Sequence, residues 1–350
     1  MKNNNKIQGF DYIKIIAASL LVFHHYQQVF ECKFAGINFY GGHIEFGFLV
    51  ELFFTISGYL TLYSEKTNFS GWKRFVHKLS RIYPMVFISI LACLCLKTLI
   101  SIITNGSLIE LWNLKTLIAN FALLFAGYPY FDMLGINNPV WYVCVLIQCY
   151  ILYYIFEFIF KMLNINSKIH VRLITYEVIV VLAVVTHYYG ILNEASFRGI
   201  VSFSIGIVIC SVNWLLSNKN FINENNCKSI SLLLFILSAF SCGIALFRIN
   251  QRYILQFFVF PFLVWSMVNA RFSDVSVVSR LGDISFELYV IHYPLMVLLQ
   301  LVLILTGYTL QHSYTTMVLF LIFAWVISGL MWKYIDLPIR NKVKEIKNYE

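Results

Sequence analysis

The stretch KIIAASLLVFHHY (Lys14–Tyr26) is apolar except at its ends, where a lysine opens it and two histidines nearly close it. An imidazole titrates near neutral pH, so it can take a proton from a hydroxyl or attack an activated carbonyl. On a helix, Lys14 and His25 fall within about 20° of one line and lie about 16 Å apart along the axis. His24 is about 80° round from Lys14, so His25 is the member of that stripe. Asp11 stands one turn before Lys14 at i,i+3, where a carboxylate can pair with the ammonium. One face therefore carries Asp11, Lys14, the small Ala18 and His25. Lys14 is near enough to a helix end to snorkel. His25 is too deep for that, and intramembrane ionisable groups usually face a cavity or pathway.

Further along, GFLVELFFTISGYL puts Glu51 ahead of Ser57, Gly58 and Tyr59. The glycine permits either close helix approach or a local break beside a ligand. GWKRFVHKLSRIYP reads as a loop ended by Pro84, and its Lys73, Arg74, Lys78 and Arg81 suit either topology or a polyphosphate ligand. NNPVWYVCVLIQCY supplies Trp141, Gln148 and Tyr150, and SFRGIVSFSIG supplies Arg198 at a helix end. In LGDISFELYVIHYPL, Ser285, Tyr289 and His292 follow i, i+4, i+7 on one helical face, with Pro294 expected to kink the helix.

These groups need a scaffold, and composition says which kind. The 350 residues are 59% hydrophobic and only 12% charged, with a mean hydropathy of +0.74. Soluble domains run to about 25% charged residues. The expected fold class is all-α, a polytopic integral membrane protein. The eight cysteines form no CxxC pair and fall mostly in apolar runs, so neither a disulfide framework nor a metal site is expected. The N-terminus lacks a small-residue cleavage site, so the first apolar run is read as a span.

Runs of about 20 apolar residues place ten spans near 10–30, 46–64, 84–103, 139–160, 173–189, 197–216, 229–247, 252–270, 284–305 and 315–335. Leu114–Phe125 is too short to cross and reads as interfacial or re-entrant. Eighteen of the 26 Lys and Arg fall in the N-tail, the C-tail and loops 65–83, 161–172, 217–228 and 271–283. The positive-inside rule then puts both termini in the cytoplasm, and the net charge of +9 is explained without nucleic acid. No internal repeat is visible, which counts against a transporter of inverted repeats.

The motif set resembles the acyltransferase-3 family of bacterial membrane O-acyltransferases that modify surface glycans. The family's Asp-x-x-Arg, followed eleven residues on by His, reads here as Asp11, Lys14 and His25. Its FF-x-x-Ser-Gly element resembles ELFFTISGY (Glu51–Tyr59), and its basic element resembles HKLSRIYP (His77–Pro84). LGDISFELYVIHYP and the closing YIDLPIR match as well, in the family's order. Lys14 keeps the charge of the family's Arg and loses its bidentate fork. Leu146 and Ile147 stand where many members carry two glutamates, with Glu157 the candidate to serve instead.

The resemblance implies one transmembrane acyltransferase domain over 1–350 with no appended SGNH-type domain, in the bacterial inner membrane. It implies transfer of an acyl group, most often acetyl, from cytoplasmic acyl-CoA to a sugar hydroxyl of a surface polysaccharide or its lipid-linked precursor. No cofactor is bound permanently; acetyl-CoA is the donor substrate, and the partners are the acyl-CoA, the glycan and the bilayer. His25 would be catalytic with Glu51 orienting it. Asp11, Lys14, Ser57, Gly58, Tyr59, Lys78 and Arg81 would bind the donor, and Trp141, Gln148, Arg198, Tyr289 and His292 would serve the acceptor. The rival reading is an exporter of polysaccharide or lipid-linked sugar in which the same polar seam lines a path.

Overall fold

A computed structural model describes residues 7–34, 37–42, 45–64, 71–127, 135–165, 169–218, 251–270, 272–273 and 275–348. The described residues are 82% helical, with no strand among them. The helices are α1 (Gln8–Phe30), α2 (Leu49–Tyr63), α3 (Gly71–Ile103), the short α4 (Leu114–Phe121), α5 (Trp141–Met162), α6 (Ile169–Tyr188) and α7 (Glu194–Asn218). They continue with α8 (Gln251–Asn269), α9 (Ser276–Thr306), α10 (Tyr314–Met331) and α11 (Leu337–Asn348).

Eight helical stretches among the described residues are long and apolar enough to cross a membrane, and they coincide with eight of the ten expected spans. Of the other two, 10–30 forms α1, whose Asp, Lys, His and Gln residues dilute its apolar character. The span near 229–247 lies outside the described residues. α4 has eight residues, far short of a crossing.

The basic segment needs correction. Lys73, Arg74, Lys78 and Arg81 were expected on a loop ended by Pro84, yet α3 runs unbroken from Gly71 through Pro84 to Ile103. Lys and Arg are good helix formers, and packed membrane helices tolerate an internal proline. The same cause starts α6 and α9 earlier than their apolar runs, placing Arg172 and Arg280 on helices. Pro294 likewise sits inside a continuous α9.

The chain forms two compact units. The first comprises 1–16, 47–71 and 148–282, the second 17–46, 72–147 and 283–350. In the first, α2 packs along α7, with α6 and α8 also against α7. The close approach is set by two glycines: a Cβ on Gly58 would overlap the Phe203 carbonyl, and one on Gly206 would overlap the Thr55 carbonyl. Both obstacles are backbone, so neither can swing away. Gly58 therefore serves helix contact, and α2 is unbroken there. Gly58→Ala should lower the thermal midpoint of the purified protein by overpacking worth about 1–3 kcal/mol. Gly329→Ala, with open space around it, should leave the midpoint unchanged.

The second unit is tied by polar links between its helices. Trp325 Nε1 donates to Ser19 Oγ at 3.1 Å, joining α10 to α1. Asn137 Nδ2 donates to Ser89 Oγ at 3.0 Å and to the Val290 carbonyl at 3.1 Å, joining α3 and α9 through the segment before α5. Lys97 Nζ donates to the Ile136 carbonyl at 2.7 Å and stands over the Tyr293 ring. In a setting without water, such bonds replace the hydration that these groups lose.

Candidate active site

α1 buries the face that spacing selects. Asp11 is 0% exposed, Ala18 1% and His25 8%, whereas Ile16 on another side is 59% exposed. In the second unit His25 Nδ1 lies 2.8 Å from Gln28 Oε1, one turn further along α1. An amide oxygen only accepts, so Nδ1 carries the hydrogen and the Nε2 lone pair is bare. The His292 ring of α9 stacks on His25 with centroids 5.1 Å apart and planes 27° apart. His292 has the same arrangement: Nδ1 faces the Leu288 carbonyl at 3.1 Å, and Nε2 is buried without a hydrogen-bond partner among the described residues. Tyr289 lies beside His292 and donates to the Pro139 carbonyl at 2.5 Å. His25, His292 and Tyr289 thus form one group, with Trp141 starting α5 in the same unit.

His24 faces elsewhere. Its Nδ1 sits 2.8 Å from Glu45 Oε1 and 2.9 Å from the Phe39 carbonyl, so it pins the segment after α1.

In the first unit Asp11 receives Lys14 Nζ at 3.4 Å and Ser279 Oγ at 3.4 Å. Gly282 leaves room for the Asp11 side chain, since a Cβ there would crowd it. The glycine of LGD is thereby linked to the aspartate that opens α1.

Glu51, 0% exposed in the first turn of α2, is engaged through both oxygens by Arg198 at 2.7 and 3.0 Å. Arg198 also donates to the Gly47 carbonyl at 2.8 Å, and its own carbonyl accepts from Gln256, which in turn donates to Ser202. This is a bidentate pair across the starts of α2 and α7. Within its own unit, Glu51 is thus engaged by Arg198. Tyr59 is core, fully buried with its ring edge-on to Phe10 and its hydroxyl accepting from Asn213. Ser57 is half-buried on the same helix, and Gln148 accepts from Ser196 at 3.5 Å. Glu157 is held through both oxygens by Arg172 at 2.9 and 2.6 Å.

Lys78 and Arg81 lie three residues apart on one side of α3, half-buried and exposed respectively. Arg81 is in electrostatic range of Asp283, Glu287, Asp336 and Arg340. A π-helical turn at Trp332–Asp336 brings Asp336 to 2% exposure. Arg340 pairs with Asp336 and donates to Glu287 at 3.1 Å.

An acyltransferase-domain family profile matches residues 7–333, nearly the whole chain. The protein belongs to the acyltransferase-3 family. No curated protein and no solved structure matches it. The matched region takes in the motifs from Asp11 to His292 and stops just before YIDLPIR, so the His25 group and the Asp11–Lys14 pair both lie inside the matched domain.

Two parts of this acyltransferase escape sequence reasoning. Gln28 was not singled out, although its i,i+3 spacing from His25 was there to find. Glu287 and Asp336 sit within motifs whose other residues drew attention, and only the fold brings them to one arginine. Among the described residues no cluster of His, Cys, Asp and Glu is arranged to hold a metal. A recess of about 260 Å³ among α5, α6 and α7 has an almost wholly apolar lining, including Cys149, Tyr153, Tyr176, Ala183 and Phe203. It offers volume without chemistry.

Proposed function

We propose that this acyltransferase moves an acyl group, most often acetyl, from cytoplasmic acyl-CoA to a sugar hydroxyl of a cell-surface polysaccharide or its lipid-linked precursor. The protein would lie in a bacterial inner membrane with both termini cytoplasmic. The observation that carries this reading is His25 itself: buried on the polar stripe of α1, with Nδ1 facing Gln28 Oε1, which leaves Nε2 as the accepting nitrogen. A neutral imidazole with a bare Nε2 is a general base for a hydroxyl.

In the step proposed, the acceptor O–H bond breaks as its proton passes to His25 Nε2. The oxygen attacks the thioester carbonyl, a C–O ester bond forms and the C–S bond breaks. The departing thiolate sulfur receives the proton, which leaves a neutral imidazole and free CoA thiol. Lys14, steadied by Asp11, lies about 16 Å back along α1 from His25, on the donor side of this scheme. Lys78 and Arg81 supply positive charge for the CoA phosphates, and Ser57 is a further donor-side contact. His292, Tyr289, Trp141, Gln148 and Arg198 are assigned to the acceptor side. The packing of Gly58 and Tyr59 gives them a role in seating α2 against α7, and Glu51 serves by holding Arg198. An exporter would have no use for a base whose tautomer is fixed.

Mass spectrometry of surface polysaccharide from cells with and without the gene tests the reading: one ester-linked acyl group per modified sugar should vanish with the gene. On the donor side, Arg81→Ala should raise the KM for acetyl-CoA several-fold and Lys78→Ala less. The effect should be larger at low ionic strength, as screening requires. Lys14→Arg should retain activity. An unchanged KM with impaired insertion would reduce the segment to a topology signal.

A further inference from the structure

We infer that Gln28 is the positioning residue of the base: it holds the His25 ring in the tautomer and orientation that leave Nε2 free for the acceptor hydroxyl. The inference rests on the proposed function above and adds a residue to it. Gln28 Oε1 is 2.8 Å from His25 Nδ1, and Gln28 makes no other hydrogen bond among the described residues. Its carboxamide is therefore committed to this one task. The i,i+3 spacing on α1 makes the contact local, so the helix delivers the partner without help from distant chain.

One face of the ring is covered by His292, stacked at 5.1 Å with planes 27° apart. His292 meets His25 through its ring plane and not through a hydrogen bond, and its Nδ1 is turned to the Leu288 carbonyl. His24 meets the His25 ring edge-on at 4.9 Å, and its own Nδ1 faces Glu45 and Phe39. Among the described residues, Gln28 is the group that meets His25 Nδ1. The partner is also neutral. A carboxylate at this place would fix the ring and add a full opposing charge to the imidazolium, far more than the dipole of an amide oxygen supplies. Orientation by a neutral acceptor suits a base that must return its proton to the leaving thiolate within one turnover.

The test uses the full chain purified in detergent and reconstituted, with acetyl-CoA as donor. The acceptor is polysaccharide extracted from cells that lack the gene. Gln28→Ala should lower kcat about tenfold, the order expected from one lost neutral hydrogen bond, with the KM for acetyl-CoA unchanged. Gln28→Glu should restore kcat and move the acid limb of the pH–rate profile to higher pH by about one unit. That direction follows because a carboxylate favours the imidazolium, which is not a base; His24 and His292 are the other titratable groups against the ring. Wild-type kcat in Gln28→Ala, or an acid limb unmoved in Gln28→Glu, overturns the assignment. Equal losses in both variants with a lowered thermal midpoint also overturn it, since that pattern marks a structural role. Full activity in His25→Ala would instead remove the reading beneath it, whereas an inactive His25→Ala beside an active Gln28→Ala removes only the role of Gln28.

Discussion

His25→Ala is expected to abolish acyl transfer while the protein still inserts and purifies normally. A general base contributes about 10²–10⁴-fold to rate, so loss of the ring should take turnover below detection in most assays. The change removes a ring that is stacked on His292 and bonded to Gln28, and neither contact holds helices together as an ion pair does. His24→Ala is the control. That ring is next in sequence, equally buried, and committed to Glu45 and Phe39. Its loss should loosen the segment after α1 and leave most of the activity. Comparable kcat values in wild type and His25→Ala would refute the assignment.

The second large effect is expected at Glu51, in stability before activity. Glu51→Ala leaves the Arg198 guanidinium with its main counter-charge gone, in a region packed by α2, α7 and α8. Breaking a buried ion pair from one side costs about 3–5 kcal/mol, a large share of the 5–15 kcal/mol that typically separates folded from unfolded chains. The variant should accumulate poorly and melt early. Replacing both partners with apolar residues of similar size, Glu51→Leu with Arg198→Met, should recover much of the midpoint, because no orphan charge remains. A Glu51→Ala protein that is fully stable and merely inactive would show that the carboxylate works in the chemistry and not in the frame.

The fold was legible where hydrophobicity alone decides. Apolar runs near 20 residues marked the membrane helices because nothing shorter spans a bilayer. Their beginnings were not legible, since the polar turns ahead of α3, α6 and α9 carry good helix formers and the apolar signal starts only after them. Pro84 misled for a related reason: its local veto on helix is weaker where a bundle satisfies the freed carbonyl. In the site, the Asp11, Lys14 and His25 spacing was legible because it is a property of one helix. The partner of Glu51 was not, because Arg198 lies 147 residues away and only tertiary structure pairs them. Gln28 was hidden for the opposite reason. A glutamine three residues from a histidine is ordinary in sequence, and only the 2.8 Å contact distinguishes it.

The most direct test of the account is transfer of label from [¹⁴C-acetyl]-CoA to polysaccharide by the reconstituted protein. Wild type should place alkali-labile label on the polysaccharide with one CoA thiol released per acetyl group, and His25→Ala should do neither. CoA release without label on the glycan, or label transfer undiminished in His25→Ala, would contradict it.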